Sequence, residues 1–527
     1  MLPTSTLDIL LAAVPPLAVL MLMVGFRWGG GKAGTTGWML ALVIAILRFG
    51  AGDDVLLWAH VRSLFLTADV IYIVWMALLL YLVVRHAGAL QVIADWFTGL
   101  TGDDVLRVLL LGWVFTSFLQ GVGGFGVPVA VVAPLLVGLG LSPLQAIVVP
   151  SIGHAWAVTF GSLGSSFIAL LGVTGLDAGF LSPPTAILLG VSAITCGLLA
   201  GFAYGGWSGM RRAFPAILLI GLVMAVGQYI LATNGLWNIA SAGGSLAALV
   251  VGLWVARWPR FNQQSATPIE KPQPEPTTDR PRPSFPLAIA GYATLAILAV
   301  LLTGVIPIKN AVGQVKLTIS VPETTTALDW ITPATPDLGL RLLNHTGAVL
   351  LYSALIAYIL YRRRGYFEPG AERAILKGVV QKGIRPSLGI LTMVAMATVM
   401  ANAGMTRSLA VGLSQAVPAS LYAFVAALIG SIGAFMTGSN TNSNAVFGVL
   451  QMDTAGLLGL SVSMVLATQT SAAAIASLLA PAKIIVGAST VGMSGNEGTV
   501  LRALLLYGGL LIGIVAALAF VLLQLGY

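Results

Sequence analysis

Six small polar residues stand in a row, Ser439-Asn440-Thr441-Asn442-Ser443-Asn444, between apolar stretches at 421–435 and 445–450. Their side chains donate and accept hydrogen bonds without charge, which is costly against acyl chains but suits the wall of a wet cavity. The apolar flanks leave little chain for an exposed polar loop, the alternative reading. A second unusual stretch is Gln120-Gly121-Val122-Gly123-Gly124-Phe125-Gly126-Val127-Pro128. It disfavours continuous helix by roughly 1 kcal/mol per glycine and about 3 for the proline. It reads as a break or a re-entrant tip, with close helix packing on small residues as the competing account. Helix ends at such breaks offer free N–H groups and the positive end of the dipole, which suits a carboxylate without a full counter-charge. The expected chemistry is binding of a small anion.

Each stretch is followed, at a similar distance, by a second polar island. These are His154-Ala155-Trp156-Ala157-Val158-Thr159 leading to Gly161-Ser162-Leu163-Gly164-Ser165-Ser166, and Thr468-Gln469-Thr470-Ser471. An ionisable group at membrane depth is a functional candidate by default, and imidazole titrates near neutrality, so His154 is the candidate proton carrier. A neutral His154 bonded to a backbone carbonyl is the alternative. Ser162, Thr468 and Gln469 join the candidate binding residues. Asp69, Glu497, Lys483 and Arg502 fall at or near span ends and read as groups that snorkel to the interface. The Asp53-Asp54 and Asp103-Asp104 pairs favour helix N-termini over metal binding. Trp58, Trp75, Trp96 and Trp113 read as interface belts. An intramembrane enzyme using His154 with Ser162 or Ser165 lacks a base-orienting carboxylate and metal-ligand spacing. No catalytic residue, metal site or cofactor is expected.

The elements that must position these residues are membrane helices. Of 527 residues, 57% are hydrophobic and 8% charged, with a mean hydropathy of +0.95, whereas soluble domains run near a quarter charged. Stretches long enough for the roughly 20 residues of a crossing recur, as at 9–26, 68–84 and 501–523. They are too long and too uniformly apolar for barrel strands, which leaves a helix bundle. The first apolar stretch lacks a basic leader and is followed by Arg27 and Lys32, so it reads as the first membrane helix. The net charge of +8 sits in short loops and reads as a topology signal, not as a nucleic-acid surface. Cys196, the only cysteine, reads as packing.

Basic residues at 257–284 and 362–385 place both loops in the cytoplasm, with 305–341 between two crossings on the outer side. Arg211-Arg212 and Arg257 flank two further apolar stretches turned at Thr233-Asn234. The Pro-, Thr- and Glu-rich segment around 267–286 is an expected flexible strap. It divides the chain into an N-terminal transmembrane half, 1–256, a cytoplasmic linker, 257–284, and a C-terminal half, 285–527. The halves share a faint repeat: residues 76–121 resemble 393–438, pairing His86-Ala87-Gly88 with Asn402-Ala403-Gly404 at an offset of 316 or 317. Charge places the two copies in opposite orientations. The expected fold is an all-α polytopic membrane protein of about 12 to 14 transmembrane helices, in two inverted-topology repeats with re-entrant hairpins and broken helices.

The run Phe435-Met436-Thr437-Gly438-Ser439-Asn440-Thr441-Asn442-Ser443-Asn444-Ala445-Val446-Phe447-Gly448-Val449-Leu450-Gln451 resembles a signature stretch of the L-lactate permease family. Gly123-Gly124-Phe125-Gly126-Val127-Pro128-Val129-Ala130, Leu135-Leu136-Val137-Gly138-Leu139-Gly140 and the stretch from Ala480-Pro481 to Glu497-Gly498 agree in order and spacing. The resemblance implies symport of a 2-hydroxy monocarboxylate, L-lactate, D-lactate or glycolate, with a proton across the bacterial inner membrane, in a fold of the broader ion-transporter superfamily. One stretch departs: Gly153-His154-Ala155-Trp156-Ala157-Val158 stands where an Asn-Thr-Ala-Pro-like sequence is expected, which leaves room for a different or larger carboxylate.

On this reading Ser439, Asn440, Thr441, Asn442 and Asn444, with backbone amides near Gly123, Gly124 and Gly126, hold the carboxylate and hydroxyl between two inverted hairpins. His154 carries the coupled proton. The expected partners are the carboxylate and protons, the lipid bilayer and, by analogy, a second copy of the chain, with no nucleic acid. An uncoupled monocarboxylate channel, a carrier of another organic anion such as an arsenite or dicarboxylate carrier, and coupling to sodium instead of protons remain the alternatives.

Overall fold

Small polar residues set just ahead of apolar runs start the helices. In the computed structural model, which describes residues 5–26, 28–98, 101–124, 126–261, 281–299, 301–302, 306–493 and 496–527, Ser5 and Asp8 form a capping box at the first helix, α1 (Thr6–Val24). Then come α2 (Gly30–Phe49), α3 (Asp53–His86), with both aspartates in its first turn as expected, and α4 (Ala89–Thr98). Asp103 caps α5 (Asp104–Leu109), which continues through a π-helical turn, Leu110–Phe115, into α6 (Thr116–Val122). After the glycine break follow α7 (Val127–Gly138) and α8 (Pro143–His154). A second break precedes α9 (Ser165–Thr174), α10 (Ala178–Thr233) and α11 (Ala240–Val255).

Most of the expected strap, 262–280, lies outside the described residues. Beyond it come α12 (Phe285–Ala288), α13 (Ala290–Ala299) and α14 (Ile306–Val312). The segment with balanced charges forms strands, which the all-helical reading did not anticipate. β1 (Lys316–Val321) pairs antiparallel with β4 (Thr335–Arg341), and β2 (Thr324–Thr325) with β3 (Ile331–Thr332). The second half continues with α15 (Thr346–Arg363), α16 (Ala371–Asn402), α17 (Met405–Ala416), α18 (Tyr422–Thr437), α19 (Asn440–Leu457), α20 (Val462–Ala476), α21 (Pro481–Thr490) and α22 (Glu497–Gln524).

Nine helices among the described residues are long and apolar enough to cross a membrane, and the pair around α17 and α18, bent by 103°, makes ten. The 56-residue α10 would run about 84 Å at 1.5 Å per residue, too far for one crossing of about 30 Å. It folds back at Gly206, where φ is 59° and ψ −154°. A Cβ on Gly190 would reach Ala225 at 3.1 Å and one on Gly197 would reach Ile217 at 2.9 Å, as two antiparallel arms require. The count of 12 to 14 came from hydropathy windows in which an arm, a broken span and a crossing look alike. Large apolar side chains such as Leu47, Leu218, Leu222 and Leu506 cover the outside of the bundle, where acyl chains can bury them. The chain is a multi-pass membrane protein.

The repeat extends well beyond the stretch legible in sequence. Left-handed glycines recur in matched places: Gly50 and Gly365, Gly88 and Gly404, Gly140 and Gly459, Gly175 and Gly492. The elements between them match in order, α3 with α16, α7 with α19, α8 with α20 and α9 with α21. Trp75 donates to Ser387 at 2.8 Å, and Leu82 fills the space beside Gly378, so α3 and its equivalent α16 run antiparallel. The two repeats are inverted. Their packing is reciprocal, because α9 lies on α19 while α21 lies on α7, and α2 lies on α16 while α15 lies on α3.

Polar contacts mark the two ends. Arg212 pairs with Asp103 at 2.6 Å and donates to the Arg260 carbonyl, which puts the Arg211-Arg212 and Arg257–Arg260 regions on one side. At the other end Trp330 donates to Ala401 and Thr332 to Asn402, so the strand ribbons cover the far side of α16. Helix packing relies on glycine: a Cβ on Gly121 would sit 2.6 to 2.8 Å from Ala242 of α11. Gly121→Val is expected to destabilise the fold by about 1–3 kcal/mol through overpacking, read as a lower midpoint of thermal unfolding in detergent. An unchanged midpoint would contradict that close approach.

Candidate functional site

Ser439 caps α19, accepting from the Asn442 amide at 3.3 Å. The polar run is therefore not irregular chain: Asn440 to Asn444 form the first turns of a helix that starts at the break. At 3.6 residues per turn, residues four apart share a face, so Asn440 and Asn444 point the same way and Asn442 points elsewhere. The Asn444 Nδ2 donates to the Ser166 carbonyl at 2.9 Å and to Thr470 Oγ1 at 2.8 Å. The Asn440 Nδ2 donates to Thr159 Oγ1 at 3.0 Å and Thr470 Oγ1 at 3.4 Å. Thr441 and Ser166 join hydroxyls at 3.1 Å. The side chains of Asn440, Thr441, Asn444, Thr159, Ser166 and Thr470 are all buried.

This network spans both repeats. Ser166 lies in the first turn of α9 and Thr441 in the first turn of α19, so two helix N-termini, each with free N–H groups and a positive dipole end, meet in the interior. The Oδ1 atoms of Asn440 and Asn444 and the Ser471 hydroxyl have no partner among the described residues. Buried unpaired oxygens of this kind are open positions for a ligand's donors.

The glycine tip faces the other break. A Cβ on Gly124, whose φ is +56°, would overlap the Ser162 hydroxyl and lie 3.4 Å from Gln120 Nε2. Ser162 and Leu163 themselves have positive φ, 47° and 51°, a costly conformation for non-glycine residues. The Gln120 Oε1 is also buried without a partner among the described residues. Gly123 ends α6, and Gly126, at φ 82°, starts α7; Phe125 lies outside the described residues.

The remaining candidates are spread out. Gln469 donates to Ser443 Oγ at 3.1 Å and accepts from Gln451 at 3.0 Å, and Gln451 accepts from Tyr422, a chain that ties α18, α19 and α20 together. Thr468 donates back to Met464 of its own helix. Asn442 sits beside Pro16, Val19 and Phe447, away from Asn440 and Asn444. The Thr468–Ser471 island lies inside the continuous α20, and the break follows it, at 477–480. Thr159, Ser166 and Thr470, the partners that complete the site, were within the islands but not singled out. Their signal was the spacing of each island from its break.

His154 ends α8, is 1% exposed, and its Nδ1 lies 2.6 Å from the Pro150 carbonyl. A carbonyl only accepts, so Nδ1 carries the hydrogen. The Nε2 is left as a buried acceptor with no partner among the described residues. The carbonyl bond expected of a structural histidine is present, and it uses one of the two ring nitrogens.

Several charged and aromatic residues depart from the interfacial reading. Lys483 turns inward and donates to Ser477 Oγ at 2.8 Å. Asp69 accepts from His345 at 2.9 Å, with Tyr72 stacked on that ring. Trp113, in the π-helical turn, is fully buried in the core, and Trp75 donates to Ser387 between helices. Hydropathy windows carry no direction, so a polar group near a span end is not distinguished from one drawn inward by a buried partner.

The chain matches the L-lactate permease family over residues 8–526. It is 29% identical to an L-lactate permease of Bacillus subtilis (strain 168), over 94% of this chain and 92% of that protein. It is 27% identical to the glycolate permease GlcA of Escherichia coli (strain K12), over 94% and 92%. Among solved structures, the YdaH transporter of Alcanivorax borkumensis is 15% identical, with a TM-score of 0.46 over 86% of this chain and 85% of that one.

Proposed function

We propose that the chain, which belongs to the L-lactate permease family, imports a 2-hydroxy monocarboxylate such as L-lactate, D-lactate or glycolate with a proton, by alternating access at the bacterial inner membrane. The observation that carries this reading is the junction of Ser166 and Thr441, where the N-termini of α9 and α19 meet beside the unpaired oxygens of Asn440 and Asn444. The N-termini and amide groups suit a carboxylate, and the Asn oxygens accept from a 2-hydroxyl. The backbone at Gly123, Gly124 and Gly126, of which Gly124 is held against Ser162, forms the facing wall. Inverted repeats support exposure of such a site to each side in turn. The likeness to permeases supports transport over catalysis. His154 takes the coupled proton on Nε2, the nitrogen that its Pro150 bond leaves open.

Sodium is the second reading, because Asn440 and Asn444 present unpaired carbonyl oxygens of the kind that coordinate it. In sodium-free proteoliposomes, a pulse of L-lactate or glycolate is expected to make the external medium more alkaline as the anion enters. A requirement for sodium would replace the proton in the cycle. His154→Gln is expected to keep exchange of labelled for unlabelled substrate and to lose the alkalinisation. Full alkalinisation in that variant would remove His154 from the relay.

A further inference from the structure

The repeats place different groups in equivalent positions. Ser166 stands near the start of α9 and meets Thr441 of α19; at the 317-residue offset that relates Gly175 to Gly492, its counterpart near the start of α21 is Lys483. Because α21 packs on α7 as α9 packs on α19, Lys483 belongs to the side of the glycine tip. Val486, one turn further along α21, lies against Gly126 at 3.7 Å from an ideal Cβ. On that side the first repeat has Gly123, Gly124 and Gly126 where the second has small polar residues of the 439–444 run, so side chains do not fill the space.

The Lys483 ammonium is anchored on Ser477, whose fully buried hydroxyl donates in turn to the Ala474 carbonyl at 2.7 Å. An ammonium has three donors. Among the described residues no carboxylate lies within 4.0 Å of this one. His154, with its unpartnered Nε2, ends α8, which α21 also contacts. An unpaired lysine inside a membrane bundle is costly unless a counter-charge arrives.

We propose that Lys483 pairs with the substrate carboxylate and supplies the full positive charge that the asparagine side of the site lacks. This rests on the reading of the protein as a monocarboxylate carrier. It also gives the cycle a charge balance. The empty carrier holds one positive charge, on Lys483. The loaded carrier holds the lysine, the carboxylate and a protonated His154, again a net charge of one. Both half-cycles then move the same charge, and the anion offsets the repulsion between two cations in one chamber.

The test compares binding of acids with their neutral amides, glycolate against glycolamide and L-lactate against lactamide, with acetate and pyruvate as further anions, on the full chain in proteoliposomes. Wild type is expected to prefer the acid. Lys483→Gln is expected to raise the apparent KM for the acid on the order of 100-fold and to abolish its preference over the amide, while Lys483→Arg keeps the preference. Lys483→Met, which retains the apolar stem, reads the same ratio should the glutamine variant fail to reach the membrane. A neutral variant that still prefers the acid overturns the assignment, as does a wild type that binds no monocarboxylate. Binding of acetate or pyruvate without any 2-hydroxy acid contradicts the substrate reading and leaves the lysine to be judged by its own ratio.

Discussion

Asn444→Ala is expected to lower uptake of the carboxylate substrate by about 10- to 100-fold while the protein still inserts. Its side-chain amide bonds the Ser166 carbonyl of one repeat and the Thr470 hydroxyl of the other, and it is fully buried. Alanine removes both bonds, at roughly 0.5–1.5 kcal/mol each, while Thr470 keeps its contacts with Asn440 and Thr159, and each 1.4 kcal/mol is about tenfold in an equilibrium constant. Asn440→Ala is expected to act in the same direction but less, because Thr159 still donates to the Thr470 carbonyl at 3.1 Å. Asn442→Ala, on another face of α19, should cost least. Initial rates of labelled L-lactate uptake, scaled to protein in the membrane, give the ranking. Equal losses in all three, or none, would contradict the geometry.

Gly124→Ala is expected to abolish transport. A residue with a Cβ is strained by about 1–2 kcal/mol in the left-handed region, and here the added carbon also overlaps the Ser162 hydroxyl. Ser162 has little freedom to retreat, since it and Leu163 already hold positive φ. Gly123→Ala is the control. Its φ is −112°, and the nearest atom to an added Cβ is the Leu119 carbonyl oxygen at 3.4 Å, so it should retain most activity. Uptake measured for both variants at matched expression separates a steric lock at Gly124 from a general demand for glycine in the tip, which equal loss in the two would indicate.

The membrane class, the breaks and the inverted repeat were legible because each depends on local composition. Long apolar runs define spans, and Gly88, Gly404, Gly124 and Gly126 mark turns that other residues adopt only with strain. Directions were not legible. Asn440 to Asn444 read as a cavity wall because small polar side chains are poor in lipid, but their helical conformation was not legible, since it rests on the Ser439 cap and on partners on α9 and α20. Lys483 read as an interfacial group because only the fold brings Ser477 to its ammonium. The strands β1 to β4 were missed because balanced charge in a loop between crossings says nothing of its pairing. Trp113 was misread because aromatic belts and buried aromatics have the same composition. In each case the deciding partner lies on another element, where spacing along the chain carries no information.

The most direct measurement is accumulation of labelled L-lactate or glycolate by proteoliposomes holding the purified chain, with an inwardly directed proton gradient and no sodium. Accumulation above the external concentration, collapsing when an uncoupler dissipates the gradient, is the expected result. Equilibration without accumulation, unaffected by the gradient, would contradict proton symport and leave an uncoupled monocarboxylate pathway through the same residues.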